Sequence, residues 1–335
     1  MLGPVCVRVG LALAFAEGMS IIETLKSTFS RWGWGWTFVV AVTLGLFACQ
    51  TVPTTKPQTG PRMVDATARF AQTAAAMTGQ RAQLADEFEG GRHVGFDTHT
   101  YPGLKIMKIW KETPGSPYKW VGFYLPAPCH NDTSWVGKRE EIDSLGWGVA
   151  VVYVGQQTWG RTPRTLTPAQ RQAARAKNDC NADLLSAAEG RDNADDATRA
   201  AAAEGFDKGI VVFLDIERME TIPLAMRDYY RAWVARMIEL GQYRPGIYTH
   251  QHNAAEIFSD VNAVFKAKGV NETPRFWIAG GKGFDPGRAP QDVGFAFAGI
   301  WQGFIDVARS IGQVRLPVDI NVATWKSPSE TGVTE

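Results

Sequence analysis

The sequence predicts an α/β protein: a closed (β/α)8 barrel of the TIM type, preceded by a signal segment, a flexible tether and one helix. From residue 91 onwards eight short apolar runs alternate with helical or loop segments, which is the pattern of a strand-helix barrel. One run, IVVFLDIE at 210–217, is apolar at six of eight positions and ends in two carboxylates, as a strand buried on both faces of a parallel sheet would. An open doubly wound sheet is the alternative, but no GxGxxG or GxxxxGK[ST] loop follows any of the runs.

Taken in order, residues 1–49 read as a signal peptide. Met19 is the expected true start, because it opens a basic segment containing Lys26 and Arg31 ahead of an apolar run at 36–48. That run is shorter than a typical membrane span. It closes on Leu46-Phe47-Ala48-Cys49, which resembles a bacterial lipoprotein cleavage box and would make Cys49 the lipidated N-terminus. An uncleaved anchor and an ordinary secretory signal are the alternatives. All three readings place the mature domain outside the cytoplasm, and the lipid-anchored one is compatible with the outer membrane or the periplasmic face. Residues 50–62 are rich in Pro and Thr without apolar periodicity and read as a tether. Over 63–89, Met63, Phe70, Met77 and Leu84 recur every seven residues in an Ala-rich stretch, which predicts one helix. Polar Thr73, Gln80 and Glu87 disfavour a coiled coil there. The barrel is expected over 90–325 and a C-terminal tail over 326–335.

The eight strand candidates are HVGFD (93–97), WVGFYL (120–125), GVAVVYVG (148–155), IVVFLDIE (210–217), RPGIYTH (244–250), RFWIAGG (275–281), FAGIWQG (297–303) and VDINVA (318–323). Helical patterns fall at 134–145, 192–204, 222–240 and 251–268, and the last connections are shorter and less regular. In such a fold the chemistry sits outside the carboxyl ends of the strands. In the fourth run Val211, Phe213, Asp215 and Glu217 share one face, and the two carboxylates stand roughly 6 to 7 Å apart along the strand. They read either as a catalytic pair or as a solvated strand end with a helix-capping acid. The other strand ends add Asp97, Tyr248, His250, Trp277, Trp301, Gln302 and Asp319 to the same rim. Acids interleaved with aromatics suit a carbohydrate-cleaving pocket: one acid protonates the leaving oxygen, another stabilises positive charge at the sugar carbon, and flat rings bind sugar faces. Taken singly, Tyr248 and Trp277 also fit core positions.

Composition sets the outer limits. The 335 residues, 45% hydrophobic and 21% charged, suffice for a sizeable core. A net charge of +1 and the lack of a basic stripe argue against a nucleic-acid partner. Cys6, Cys49, Cys129 and Cys180 have no CxxC or metal-ligand spacing, so neither a zinc site nor any other cofactor is expected.

The order and spacing of several short motifs resemble a known family, the glycoside-hydrolase-like domain of unknown function 1906, a barrel related to the family 25 lysozymes. The carriers are GFD at 95–97, GFYL at 122–125, Lys138 and Glu140 ahead of GWGVAVVY, the segment 190–206, LDIE, and RPGIYTH; the later FWIAGG, IWQG and VDIN look like the WxA, WQ and Dxn elements of the lysozymes. The resemblance implies that Asp215 and Glu217 are the catalytic pair, that Asp97 matches the first-strand Asp and that Asp319 matches the late Asp. The chain departs from the lysozymes after Asp97, where Thr98-His99-Thr100-Tyr101 stands in place of a DxSxxQG pattern.

The expected function is an extracytoplasmic, lipid-anchored glycoside hydrolase acting on peptidoglycan-type or other 2-acetamido glycans. In it Glu217 is the general acid, Asp215 orients the acetamido group or stabilises the oxocarbenium-like centre, and Asp97 assists. Asp319, Gln302, Trp301, Tyr248, Trp277 and Tyr124 are the expected substrate-binding residues. A non-catalytic, tethered glycan-binding barrel is the alternative. The expected partners are a cell-wall glycan and the membrane, with the protein itself a monomer. Cys129 and Cys180 fall in the loops after the second and third strands, which leave the same rim from adjacent strands. They are two free thiols or, as this adjacency and an oxidising compartment predict, a Cys129–Cys180 bridge.

Overall fold

The computed structural model describes residues 91–159, 166–177 and 179–331. The expectations for the signal segment at 1–49, for Cys49, for the tether at 50–62 and for the helix at 63–89 lie outside the described residues. Eight strands close into one barrel in sequence order: β1 (His93–Asp97), β2 (Trp120–Tyr124), β3 (Gly148–Tyr153), β4 (Val211–Ile216), β5 (Arg244–His250), β6 (Phe276–Ala279), β7 (Ala298–Ile311) and β8 (Val314–Ala323). The helices are α1 (Leu104–Glu112), α2 (Arg139–Ser144), α3 (Pro168–Ala176), α4 (Ala187–Ala203), α5 (Leu224–Leu240) and α6 (Gln251–Ala267).

Strands β1 to β7 are parallel, whereas β8 runs antiparallel to both β7 and β1. The expectation of strand, helix, strand throughout is therefore corrected at its end: the runs at 297–303 and 318–323 belong to the two arms of one hairpin. Its turn is tight, with Gly312 at φ 57. A parallel crossover needs a dozen or more residues, so a strand leaving this turn has to run back. The arms carry period-two apolar positions, and Val307, Ile311, Val314 and Leu316 pack against the core. The hairpin reaches α1, where a Cβ on Gly312 would lie 3.5 Å from Thr113 Oγ1.

Helices α1 and α3 have no counterpart among the sequence expectations. The first buries Met107 and Trp110 from an otherwise Lys-rich segment, and the second starts at Pro168 behind a Thr167–Gln170 capping box. Helix α2 is shorter than 134–145 because Gly137, at φ 73, takes a left-handed conformation that interrupts it. Helix α4 begins earlier than expected, where Ser186 accepts a hydrogen bond from the Glu189 amide.

The barrel interior is filled by aromatic rings. Trp277 meets Trp120, Phe213 and Tyr248 edge-on at centroid distances of 5.6, 5.9 and 5.3 Å. Small residues make the room, since a Cβ on Gly95 would lie 2.2 Å from the Trp120 ring and one on Gly122 would lie 2.5 Å from Asp97 Cβ. At the opposite end of the barrel from the acids, the segment expected as a C-terminal tail hydrogen-bonds to the sheet through Ser329. Ser329 is buried; its Oγ accepts from Val151 N at 2.7 Å, its N donates to Val149 O at 2.8 Å, and its O accepts from Val211 N at 2.7 Å. Ser329 thus bridges β3 and β4 below the point where the two strands pair.

Candidate active site

The carboxyl ends of the parallel strands converge on one rim. Asp97 ends β1, Tyr124 ends β2, Asp215 lies one residue from the end of β4, and Glu217 follows it. Tyr248 comes from β5 and Gln302 from β7. Because β8 is antiparallel, its rim residue precedes those deeper in the barrel, and Asp319, midway along the strand, pairs in register with Asp97. Hydrogen bonds between non-neighbouring strands show that these side chains point inward. Tyr248 Oη donates to Gln302 Oε1 at 2.6 Å, and Trp277 Nε1 donates to Asn321 Oδ1 at 2.9 Å.

These donors orient two amides toward the acids. With its oxygen occupied by Tyr248, Gln302 directs Nε2 at Asp97 Oδ1 (3.3 Å) and Asp319 Oδ2 (2.5 Å). Asn321 Nδ2 donates to Asp97 Oδ1 at 2.7 Å, and Tyr124 Oη donates to Asp97 Oδ2 at 2.7 Å. Asp319 Oδ1 accepts from the backbone N of Asp306, which adopts φ 52. Burial still outweighs the donors at Asp97: desolvation, then the Asp319 charge, pushes its carboxyl up to about 8. Burial likewise raises Asp319, to about 6.

The β4 acids lie across the rim. Asp215 is buried, and its Oδ1 has no hydrogen-bond partner among the described residues. Burial, then the charges of Glu217 and Asp97, holds its carboxyl well above the usual range. Glu217 is half-buried and also raised, by desolvation, against an opposing backbone hydrogen bond from Arg218. Both carboxyls of the pair are thus biased toward the protonated form, Asp215 by deeper burial than Glu217, and Glu217 is the one open to the rim. The backbone of the pair is gripped by Gln157, whose Nε2 donates to Asp215 O at 2.8 Å and whose Oε1 accepts from Glu217 N at 3.2 Å.

Not every expected contact is available to a sugar. Trp277 is 1% exposed and Trp301 is fully buried, which corrects their reading as stacking platforms. Inward positions of a barrel are filled by side chains, and Trp277 fills one. Trp301 is spent on Gly280 O, 2.6 Å from its Nε1, and on an edge contact with Phe284. Gln302 is 1% exposed with both ends of its amide engaged, so it holds the acids in place. Tyr124, Tyr248, Glu217 and Asp319 remain partly open at the rim. His250 caps α6, its Nδ1 accepting from His252 N at 3.0 Å.

Sequence reasoning missed Asn321, although it shares a strand face with Asp319 at period two. It also missed Gln157, which lies beyond a strand end where periodicity carries no signal, and His130, which stacks on Tyr124 at 4.8 Å. Next to His130, Cys129 is bonded to Cys180, with a Cα separation of 4.7 Å, so the loops after β2 and β3 are joined. Among the described residues, no group of three or more His, Cys, Asp and Glu side chains is arranged to hold a metal ion.

Residues 109–323 match the family described as Rv2525c-like, glycoside hydrolase-like domain. No curated protein matches the chain. Among solved structures, an uncharacterized B. stearothermophilus protein is 20% identical, with a TM-score of 0.44 over 69% of this chain and 95% of its own. The Clostridium perfringens spore cortex lytic enzyme SleM is 13% identical, with a TM-score of 0.41 over 69% and 67%. The Mycobacterium tuberculosis Tat-secreted protein Rv2525c is 13% identical, with a TM-score of 0.39 over 68% and 94%.

Proposed function

The chain belongs to the Rv2525c-like, glycoside hydrolase-like family, and from that premise we propose that it is an extracytoplasmic glycoside hydrolase acting on peptidoglycan-type or other 2-acetamido glycans. The observation that carries the reading is the β4 pair: a buried Asp215 with a free Oδ1 beside a half-exposed Glu217, both held above the usual carboxylate range. Glu217 gives its proton to the glycosidic oxygen as the bond from that oxygen to the sugar carbon breaks. Asp215 accepts the acetamido N–H, so that the acetamido oxygen supports the oxocarbenium-like carbon, and water then completes hydrolysis with its proton returning to Glu217. Asp97 and Asp319, held by Gln302, position sugar hydroxyls or the water, and Tyr124 and Tyr248 border the sugar. These steps use only protons and water.

Lipidation at Cys49 would tether the barrel to the envelope. The Cys129–Cys180 bond fits that location, because disulfides persist in oxidising compartments.

The test is turnover of purified peptidoglycan and chitin-type oligosaccharides. Release of reducing ends that vanishes in Glu217→Gln supports the enzyme. Glycan binding that survives the same change, with no products, supports a binding module instead.

A further inference from the structure

Strands β3 and β4 pair at three positions, Val151–Val212, Val152–Phe213 and Tyr153–Leu214, while on its other side β4 pairs with β5 at six, up to Ile216–Thr249. The β3–β4 seam is therefore open at both ends. At its lower end Ser329 supplies the missing partners. At its upper end the β3 main chain turns away, with Gly155 N donating back to Tyr153 O at 3.1 Å, and among the described residues no strand pairs with the backbone groups of Asp215 and Glu217 on that side.

Gln157 takes the place of that strand. A residue opposite Ile216 in a parallel ladder would donate its N–H to Asp215 O and accept from Glu217 N, and these are the two bonds that the Gln157 carboxamide makes. The side chain is 1% exposed. Its neighbour Gln156 holds the loop that carries it: Gln156 Nε2 donates to Asp179 O at 2.9 Å and its Oε1 accepts from Asn181 N at 2.8 Å, on either side of the bonded Cys180.

We propose that Gln157 is a positioning residue: its carboxamide extends the β4 ladder by one register and fixes Glu217, which lies past the last strand residue, at the height from which it reaches the glycosidic oxygen. The placement stands on geometry, and only its catalytic consequence rests on the glycosidase reading above. The chemistry of the side chain is specific. Asn is one methylene shorter and falls short of the two bonds. An ionised Glu sets an acceptor against Asp215 O, whereas a protonated Glu restores both the donor and the acceptor.

Amide hydrogen exchange on the full chain tests this directly. In Gln157→Ala the protection factor of the Glu217 amide should fall at least tenfold, while Val212 and Phe213 in mid-strand keep theirs. In Gln157→Glu protection should be lost at neutral pH and should return as the pH drops below the titration of the new carboxyl, a rescue that a merely space-filling role would not produce. Undiminished Glu217 protection in Gln157→Ala overturns the proposal. If Gln157→Ala loses the fold, pH-independent protection in Gln157→Glu overturns it. On a cleaved glycan, Gln157→Ala should lower kcat by about 100-fold with little change in KM, the scale of a misplaced catalytic group. Absence of turnover in the wild-type chain would sink the glycosidase reading and leave the exchange result to decide the role of Gln157.

Discussion

Asp97 and Asp319 stand opposite one another across the β1–β8 seam, and a single nitrogen, Gln302 Nε2, donates to both. Antiparallel β8 extends past the end of β1, so a mid-strand residue of the last strand lies beside the final residue of the first. A buried acid and a half-buried one in register repel when both are charged, and this has a measurable cost.

The thermal stability of the barrel should fall as pH rises from 4 to 8. Asp97 rises from 3.8 to about 8 on folding and Asp319 from 3.8 to about 6, so these two carboxyls bind more protons in the folded state over those windows, against the smaller opposing effect of a buried His130 lowered to about 4. A group raised in this way favours the folded state below the unfolded value and loses that contribution as pH climbs through the folded one. Circular dichroism melts should show Tm decreasing over this range, with a shallower slope in Asp97→Asn. A flat profile in the wild-type chain would contradict the coupling.

For catalysis the expected signature is an alkaline limb. With the Glu217 carboxyl above its ordinary 4.5, kcat/KM on a glycan substrate should fall only when pH rises past that value, as the reserved proton is lost. Glu217→Gln should remove the activity, and Asp215→Asn should cost at least 100-fold, within the range for a positioned acid or base. A pH–rate profile that already declines at 4.5 would exclude Glu217 as the resting acid.

Reduction of Cys129–Cys180 should destabilise the domain by roughly 4 kcal/mol, from the chain entropy released when a cross-link spanning 51 residues is opened. Denaturant unfolding with and without a reductant measures it, with Cys129→Ala/Cys180→Ala as the permanent form. Loosening of the Gln156 and Gln157 contacts should accompany the loss, since Asp179 and Asn181 flank the bonded cysteine.

Labelled fatty acid should enter the wild-type protein and not Cys49→Ala, with the precursor accumulating. Equal labelling of the two would refute the lipoprotein reading.

The strands were legible in the sequence because each is a short apolar run bounded by turn-formers, and hydrophobic burial acts on local pattern. The DxE pair was legible for the same reason: period two puts Asp215 and Glu217 on the face that Phe213 occupies, and Phe213 packs inside the barrel. The sequence also placed Cys129 and Cys180 on loops leaving neighbouring strands. What it did not reveal was the direction of β8, because Val307, Ile311, Val314 and Leu316 read as strand only once the turn at Gly312 makes them two arms packed against the core. Nor did it separate Trp277 and Trp301 from exposed platforms, since a tryptophan at a strand end looks the same in sequence whether it faces a cavity or fills one. Only tertiary structure decided the polar partners. Gln157 with Glu217, Gln302 with both acids, and Asn321 with Asp97 are contacts between segments 60, 205, 17 and 224 residues apart, made by side chains whose local propensity carries no trace of the groups they satisfy. A buried carboxyl demands such partners, and closure of the barrel is what brings them within reach.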